Sequence, residues 1–156
     1  MHLSKKGEYA IRALTEFGIE SVENPGGLLQ IATVAARTKV PEKFLEQILL
    51  SLKNAGLLVS KRGVDGGYRL NREPEEITLG EVVRLLDGPL APVPCVSQSA
   101  YEPCNCPDPD ICGLKLSMQK VRDALAGILD NYPLSQLVEE VQDKRRHRSS
   151  AMQFDI

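Results

Sequence analysis

Four cysteines, Cys95, Cys104, Cys106 and Cys112, are the only ones in the 156-residue chain. Pro92, Pro94, Pro103, Pro107 and Pro109 share their window. Proline lacks a backbone donor and interrupts helices, so the thiols are expected on a loop. Thiolates gathered on a loop can bind a metal ion or an iron–sulfur cluster, pair as disulfides, or react with an oxidant. Zinc sites favour pairs with two to four residues between them. Here eight residues lie between Cys95 and Cys104, one between Cys104 and Cys106, and five between Cys106 and Cys112. Zinc therefore ranks behind a cluster, and direct oxidation to a sulfenic acid or a disulfide ranks third. A disulfide-exchange enzyme built on Cys104-Asn105-Cys106 is the reading from another class; no βαβ pattern or nearby catalytic base supports it. His2 and His147 lie near the ends and read as solvated.

A different chemistry is written nearer the N-terminus. Lys61-Arg62-Gly63-Val64-Asp65-Gly66-Gly67 is a basic, glycine-rich turn between two short apolar runs, the pattern of a β-hairpin. Upstream, a helix-spaced segment turns Leu45, Ile48, Leu49 and Leu52 inward and leaves Glu42, Lys43, Glu46, Gln47 and Lys53 on a polar face. Such a face can meet base edges and phosphates in a major groove about 12 Å wide. Glu42, Lys43, Phe44, Glu46 and Gln47 are the candidate DNA-reading residues of this helix. Lys61, Arg62 and Gly63 are those of the hairpin, the cations for phosphate or minor groove and the glycine for close backbone approach. Taken singly, each is also an ordinary solvated turn or helix face. Charge supports the combination: residues 1–72 hold 11 Lys/Arg against 7 Asp/Glu, and residues 73–156 hold 8 against 14. A basic first half suits a polyanion, and an aromatic content of 4% disfavours a base-stacking single-strand binder.

The elements that must position these groups can be read from periodicity and punctuation. Residues 4–21 form an amphipathic helix opened by Ser4. Asn24-Pro25-Gly26-Gly27 turns the chain into a second helix over Leu28–Arg37, and Pro41 begins a third that ends at Gly56, a left-handed cap. Strands follow at Leu57–Ser60 and Tyr68–Leu70. Thr78-Leu79-Gly80-Glu81 is a capping box that starts a helix running to about Leu86. Beyond the cysteines, Leu114–Leu129 is expected to be the longest helix, followed by a short one over Leu134–Val141. Three helices and a hairpin make a winged helix-turn-helix, so the expected fold is mainly α with one small hairpin. The division expected is a DNA-binding domain over 1–87, a cysteine-rich ligand loop over 88–112, a long helix with a terminal helix over 113–143 that packs on its own domain or, as the resemblance given below implies, serves as a dimerisation helix, and a disordered tail over 144–156. No apolar run approaches the roughly 20 residues of a membrane span. The basic start, Met1-His2-Leu3-Ser4-Lys5-Lys6, leads into Gly7 and Glu8 instead of an apolar signal region. A cytoplasmic location is expected, where clustered cysteines serve as ligands or sensors more than as structural disulfides.

Several of these phrases together resemble the Rrf2 family of bacterial transcription regulators. They are Leu3 to Leu14, Phe44-Leu45-Glu46-Gln47-Ile48-Leu49, Arg62 to Leu70, Glu76 to Val82, and Cys95-Val96. The resemblance spans about residues 1 to 141. It implies a homodimer that binds double-stranded DNA, with a palindromic operator as the expected target. It also implies an iron–sulfur cluster, 2Fe–2S or 4Fe–4S, on the loop before the dimer helix. Family members commonly supply three cysteines at short, even spacing. Cys106 and Cys112 match the second interval, and the first departs from it. The ligand set implied is Cys95, Cys106 and Cys112, with Cys104 as spare or substitute. A histidine three residues beyond the last cysteine serves some members, but Lys115 stands there. Others use an acidic residue of the partner's first helix, which corresponds to Glu8. Alternatively Cys104 is the fourth ligand. A solvent-facing carboxylate in a first helical turn remains the plain reading of Glu8.

Overall fold

A computed structural model describes residues 2–154. Helix α1 (Lys5–Glu23) starts where Ser4, in extended conformation, accepts the Gly7 N–H on its hydroxyl at 3.0 Å. One face of α1 is fully buried through Ala10, Ala13, Leu14 and Phe17. Around it pack α2 (Ile31–Thr38) and α3 (Glu42–Asn54), which contribute Val34, Leu45, Ile48, Leu49 and Leu52. Lys39 sits between α2 and α3 in a left-handed conformation (φ 57°), which turns the chain tightly enough to bury Val40. The third helix ends at Gly56 (φ +78°), as its sequence required.

The wing is an antiparallel hairpin of β1 (Leu58–Lys61) and β2 (Gly67–Leu70), with Leu58 opposite Leu70 and Lys61 opposite Gly67. Leu29 adds a bridge on the far side of β2 by exchanging both backbone hydrogen bonds with Tyr68, at 2.9 and 2.8 Å. For this reason α2 starts at Ile31 rather than at Leu28: the backbone of Leu29 is already committed to the sheet. Gly67 (φ +152°) makes that bridge possible, since a Cβ there would stand 2.5 Å from the Leu29 carbonyl oxygen. Three helices and this hairpin form a winged helix-turn-helix.

A short 3₁₀ turn (Pro74–Glu76) leads into α4 (Leu79–Asp87), capped by Thr78. A second 3₁₀ turn (Pro94–Val96) precedes the cysteine loop, and α5 (Gly113–Leu129) follows it. The last element, α6 (Leu134–Phe154), packs back on α1, with Val138 seated against Gly18. Two expectations need correction here. The longest helix is α6, with 21 residues, and α5 has 17. The segment expected to be a disordered tail continues α6 through Phe154; residues 155 and 156 lie outside the described residues. The continuation has an anchor that local sequence does not display. Arg145 pairs at 2.5 Å with Glu16, a carboxylate only 5% exposed that also meets Arg37 of α2 at 3.8 Å. Local pairs such as Arg146 with Asp143 and Gln136 with Glu140 support the same helix.

Candidate functional site

The face that would meet nucleic acid comes from α3 and the wing. Leu45, Ile48, Leu49 and Leu52 anchor α3 in the core, so the helical period leaves Glu42, Lys43, Glu46 and Gln47 exposed together. Phe44 is also exposed, but its ring meets Tyr9 of α1 in a tilted pair with centroids 6.2 Å apart. It therefore steadies the start of α3 against α1 as well as facing solvent. At the wing Lys61, Arg62 and Gly63 are all exposed. The turn is not left loose, because Gln30 donates its side-chain amide to the Val64 carbonyl at 3.0 Å and Gly66 N–H reaches the Gly63 carbonyl at 3.0 Å. Gln30, immediately before α2, was not singled out in the sequence. A polar residue ahead of a helix reads as a cap, and nothing local shows that it reaches the wing.

The four thiols lie between α4 and α5. Cys95 is buried in the Pro94–Val96 turn, which Arg122 of α5 holds by donating to the Val96 carbonyl at 2.6 Å. Cys104 and Cys106 lie on the irregular loop and are half-buried. Cys112 occupies the N-cap of α5. The Sγ atoms of Cys106 and Cys112 are 3.6 Å apart. The edge of a thiolate tetrahedron with metal–sulfur bonds near 2.3 Å is about 3.8 Å, so this pair is close to the separation needed to share a metal. The thiols differ in character. Cys112 is held below its ordinary pKa, first by the backbone of Lys115 at the start of α5 and then by the Cys106 thiol. Cys104 is lowered first by the backbone of Cys106, then by its thiol, and least by Cys95. Cys106, flanked by both, is pushed up to about 12, chiefly by Cys104 and next by Cys112.

The sulfurs meet in a chain and not around one point: Cys106 is approached by Cys104 and Cys112, and Cys104 also by Cys95. Among the described residues no group of three or more His, Cys, Asp or Glu side chains is arranged to hold a metal ion as it stands. The donor chemistry nevertheless suits a thiophilic centre, with four soft sulfurs on one segment. From Pro103 to Ile111 the backbone makes no hydrogen bond to other backbone; Asp110 N–H to Asp108 at 3.1 Å is a local turn. A segment held so lightly can close on a ligand at little cost.

Glu8 stands in the first turn of α1 and pairs with Lys5 at 2.7 Å, which holds its carboxyl below the usual range. The start of α1 is fastened to the stem of the cysteine loop by Asp87, the last residue of α4. Asp87 accepts from the Ser4 N–H at 2.9 Å and from the Ser4 hydroxyl, and Gly7 is bare enough to let it in. Asp87 was missed in the sequence. Its one signal is an acidic residue in the last turn of a helix, against the macrodipole, which calls for a partner elsewhere.

Helix α5 is peripheral: none of its residues is buried. Leu114, Met118, Val121, Leu125 and Ile128 recur at alternating steps of four and three, the 3.5-residue seam of a helix that packs on another. Its far end is pinned by the Arg84–Asp130 pair, at 2.5 and 2.9 Å, and by the bridge between Thr78 and Pro133. Along the seam Leu114, Val121 and Ile128 are exposed, and Met118 and Leu125 are half-buried.

Comparison with known proteins agrees with this architecture. Residues 3–140 match the family described as Rrf2, iron-dependent transcriptional regulator. An rrf2-like HTH-type transcriptional regulator from Rhodobacter capsulatus is 37% identical over 137 residues, covering 87% of this chain and 91% of that protein. The structure of CymR, the global cysteine regulator of B. subtilis, superposes with a TM-score of 0.73 at 31% identity, covering 90% of this chain and 98% of that one. The structure of T. potens IscR gives 0.72 at 26% identity, covering 92% and 90%.

Proposed function

Because this chain belongs to the Rrf2 family of transcriptional regulators, we propose that it is a DNA-binding homodimer whose cysteine loop holds an iron–sulfur cluster and reports redox, nitric oxide or iron–sulfur status to the DNA-reading heads. Like its relatives it is a transcription regulator and not an enzyme. None of its described helices is long and apolar enough to cross a membrane, and its place of action on this reading is the cytoplasm. The observation that carries the cluster reading is the gathering of all four thiols between α4 and α5, with Cys106 and Cys112 at metal-sharing distance.

Cys95, Cys106 and Cys112 would hold the cluster. Cys104, or Glu8 of a second copy, would supply the fourth ligand. When bound, the cluster supplies a centre that exchanges electrons or is lost to oxidants and nitric oxide. The remaining steps belong to the chain. Holding the loop closed fixes Cys95 and its turn, which Arg122 couples to α5. The same stem reaches the start of α1 through Asp87 and Ser4. A second copy would cover the apolar seam of α5 and set two recognition helices on half-sites about 34–36 Å apart, on a palindromic operator. Glu46 and Gln47 would then read base edges, Lys43, Lys61 and Arg62 would bind phosphate or minor groove, and Glu42, Phe44 and Gly63 would shape the approach.

A second reading keeps the fold and the DNA but senses through the thiols alone or through zinc. The close Cys106–Cys112 approach and the likeness to a cysteine regulator favour it. One measurement separates the two. Full-length protein purified without oxygen is expected to be brown, with iron and acid-labile sulfide near stoichiometric with chain. Colourless protein carrying zinc or no metal rejects the cluster.

A further inference from the structure

We propose that Cys106 and Cys112 are a disulfide-forming pair, closed by a hydroperoxide in the metal-free chain. Four cysteines allow six different single bridges, and the Cys106–Cys112 pair combines sulfurs in reach with a loop that can move between them. The Cys106 and Cys112 sulfurs stand 3.6 Å apart, and a disulfide needs about 2.05 Å. The shortfall is within reach of side-chain rotation and a small shift of the intervening backbone. That backbone is free to shift, because it lacks hydrogen bonds to other backbone from Pro103 to Ile111. Cys112 is fixed at the head of α5, so the movement falls on Cys106 and its loop. Cys104 also approaches Cys106 and Cys95, and those rival bridges are set apart by strain and access instead of by distance. A bridge from Cys104 to Cys106 spans only Asn105 and closes a small, strained ring. Cys95 is buried at 8% exposure in a turn that Arg122 clamps. Asp108, Asp110 and Ile111, between the pair, are exposed, which gives a water-borne peroxide access.

The chemistry balances with the peroxide as the sole oxidant. One thiol sulfur takes an oxygen as the O–O bond breaks, giving a sulfenic acid and, from hydrogen peroxide, one water. The second sulfur then displaces that oxygen, which leaves as a second water with the second thiol's proton. Two thiols lose two electrons, and one peroxide gains them. The pairing stands whether or not the loop carries a cluster. Its consequence rests on the cluster reading: a bridge removes two of the sulfurs a cluster needs and ties the loop to the head of α5, so an oxidised chain cannot be reloaded until it is reduced.

The test uses the full chain, stripped of metal with a chelator under nitrogen and then treated with hydrogen peroxide. Remaining thiols are alkylated, and the protein is cut on the N-terminal side of aspartate and analysed by mass spectrometry without reduction. Cleavage at Asp108 or Asp110 turns a Cys106–Cys112 bridge into a cross-linked peptide pair. That pair is the expected main product, it persists in Cys104→Ser, and it is absent from Cys112→Ser. A Cys104–Cys106 or Cys95–Cys104 bridge as main product, a bridge between chains, or full alkylation of both Cys106 and Cys112 overturns the proposal. Iron and sulfide analysis of anaerobic protein is a separate readout, so loss of the cluster reading leaves this result standing, and the reverse holds.

Discussion

Arg62 and Gln47 are both exposed, one on the wing and one on α3, yet their chemistries predict different failures. A guanidinium that contacts phosphate carries no sequence information. Arg62→Ala should weaken binding to all duplexes alike and reduce the salt slope by about one. A side-chain amide on a base edge discriminates by about 1–3 kcal/mol. Gln47→Ala should therefore flatten base preference at one position more than it lowers overall affinity. Binding measured against a set of operator variants at several salt concentrations decides both, and a uniform loss for Gln47→Ala would make it a positioning residue. Asp130 makes a prediction of another kind. Its carboxyl is held below the usual range by Arg84, so the folded state binds a proton less readily than the unfolded chain. Stability from the pair is full above the unfolded carboxylate pKa and is lost as pH falls through the lower folded value. Both side chains are more than a third exposed, so the effect is under about 1 kcal/mol after screening. Denaturation of Asp130→Asn should show that small loss at neutral pH, shrinking towards pH 3; an equal loss at both pH values would contradict it.

At the scale of elements, the most informative is α5, a 17-residue helix with no fully buried residue in its own chain. A helix this apolar along one seam gains its stability from what covers the seam. Val121→Glu and Ile128→Glu place a charge on that seam at exposed positions, so the fold of the single chain should survive. Sedimentation is expected to show a dimer for the parent protein and a monomer for either variant, with operator affinity falling together with assembly. A variant that remains dimeric would mean the seam is not the interface. Helix α6 shows the complementary case. Its first half follows from apolar spacing through Leu134 and Val138. Its second half reads as a solvated charge run and becomes helix because Arg145 finds the buried carboxylate of Glu16.

For the whole molecule the proposed function requires a loop between α4 and α5 to influence a face on α3 and the wing. The physical link runs from the loop stem through Asp87 to Ser4 and the start of α1, and α1 forms the floor on which α2 and α3 pack. Asp87→Ala removes the acceptor for the Ser4 N–H and hydroxyl, at a cost of about 1–2 kcal/mol. It should also bring the ratio of operator affinities, metal-loaded against metal-free, closer to one. Coupling needs two states whose balance both sites bias; an unchanged ratio in the folded variant would take Asp87 out of the route.

How much of this was legible in the linear chain depended on the range of the forces involved. The cap at Ser4, the left-handed Gly56, the hairpin around Gly63 to Gly67, the polar face of α3 and the apolar seam of α5, though not the side it faces, are set by neighbours within a few residues, where periodicity and turn chemistry act directly. The gathering of four thiols on a proline-rich loop was equally plain. Tertiary structure alone decided the bridge from Leu29 to Tyr68, the clasp of Asp87 on Ser4, the reach of Arg145 back to Glu16, and the approach of Cys106 to Cys112. The first three join elements far apart in the chain, and a backbone amide, a carboxylate or an arginine looks the same in sequence whether it faces water or a distant partner. The fourth depends on the path of an irregular loop, which spacing constrains but does not choose.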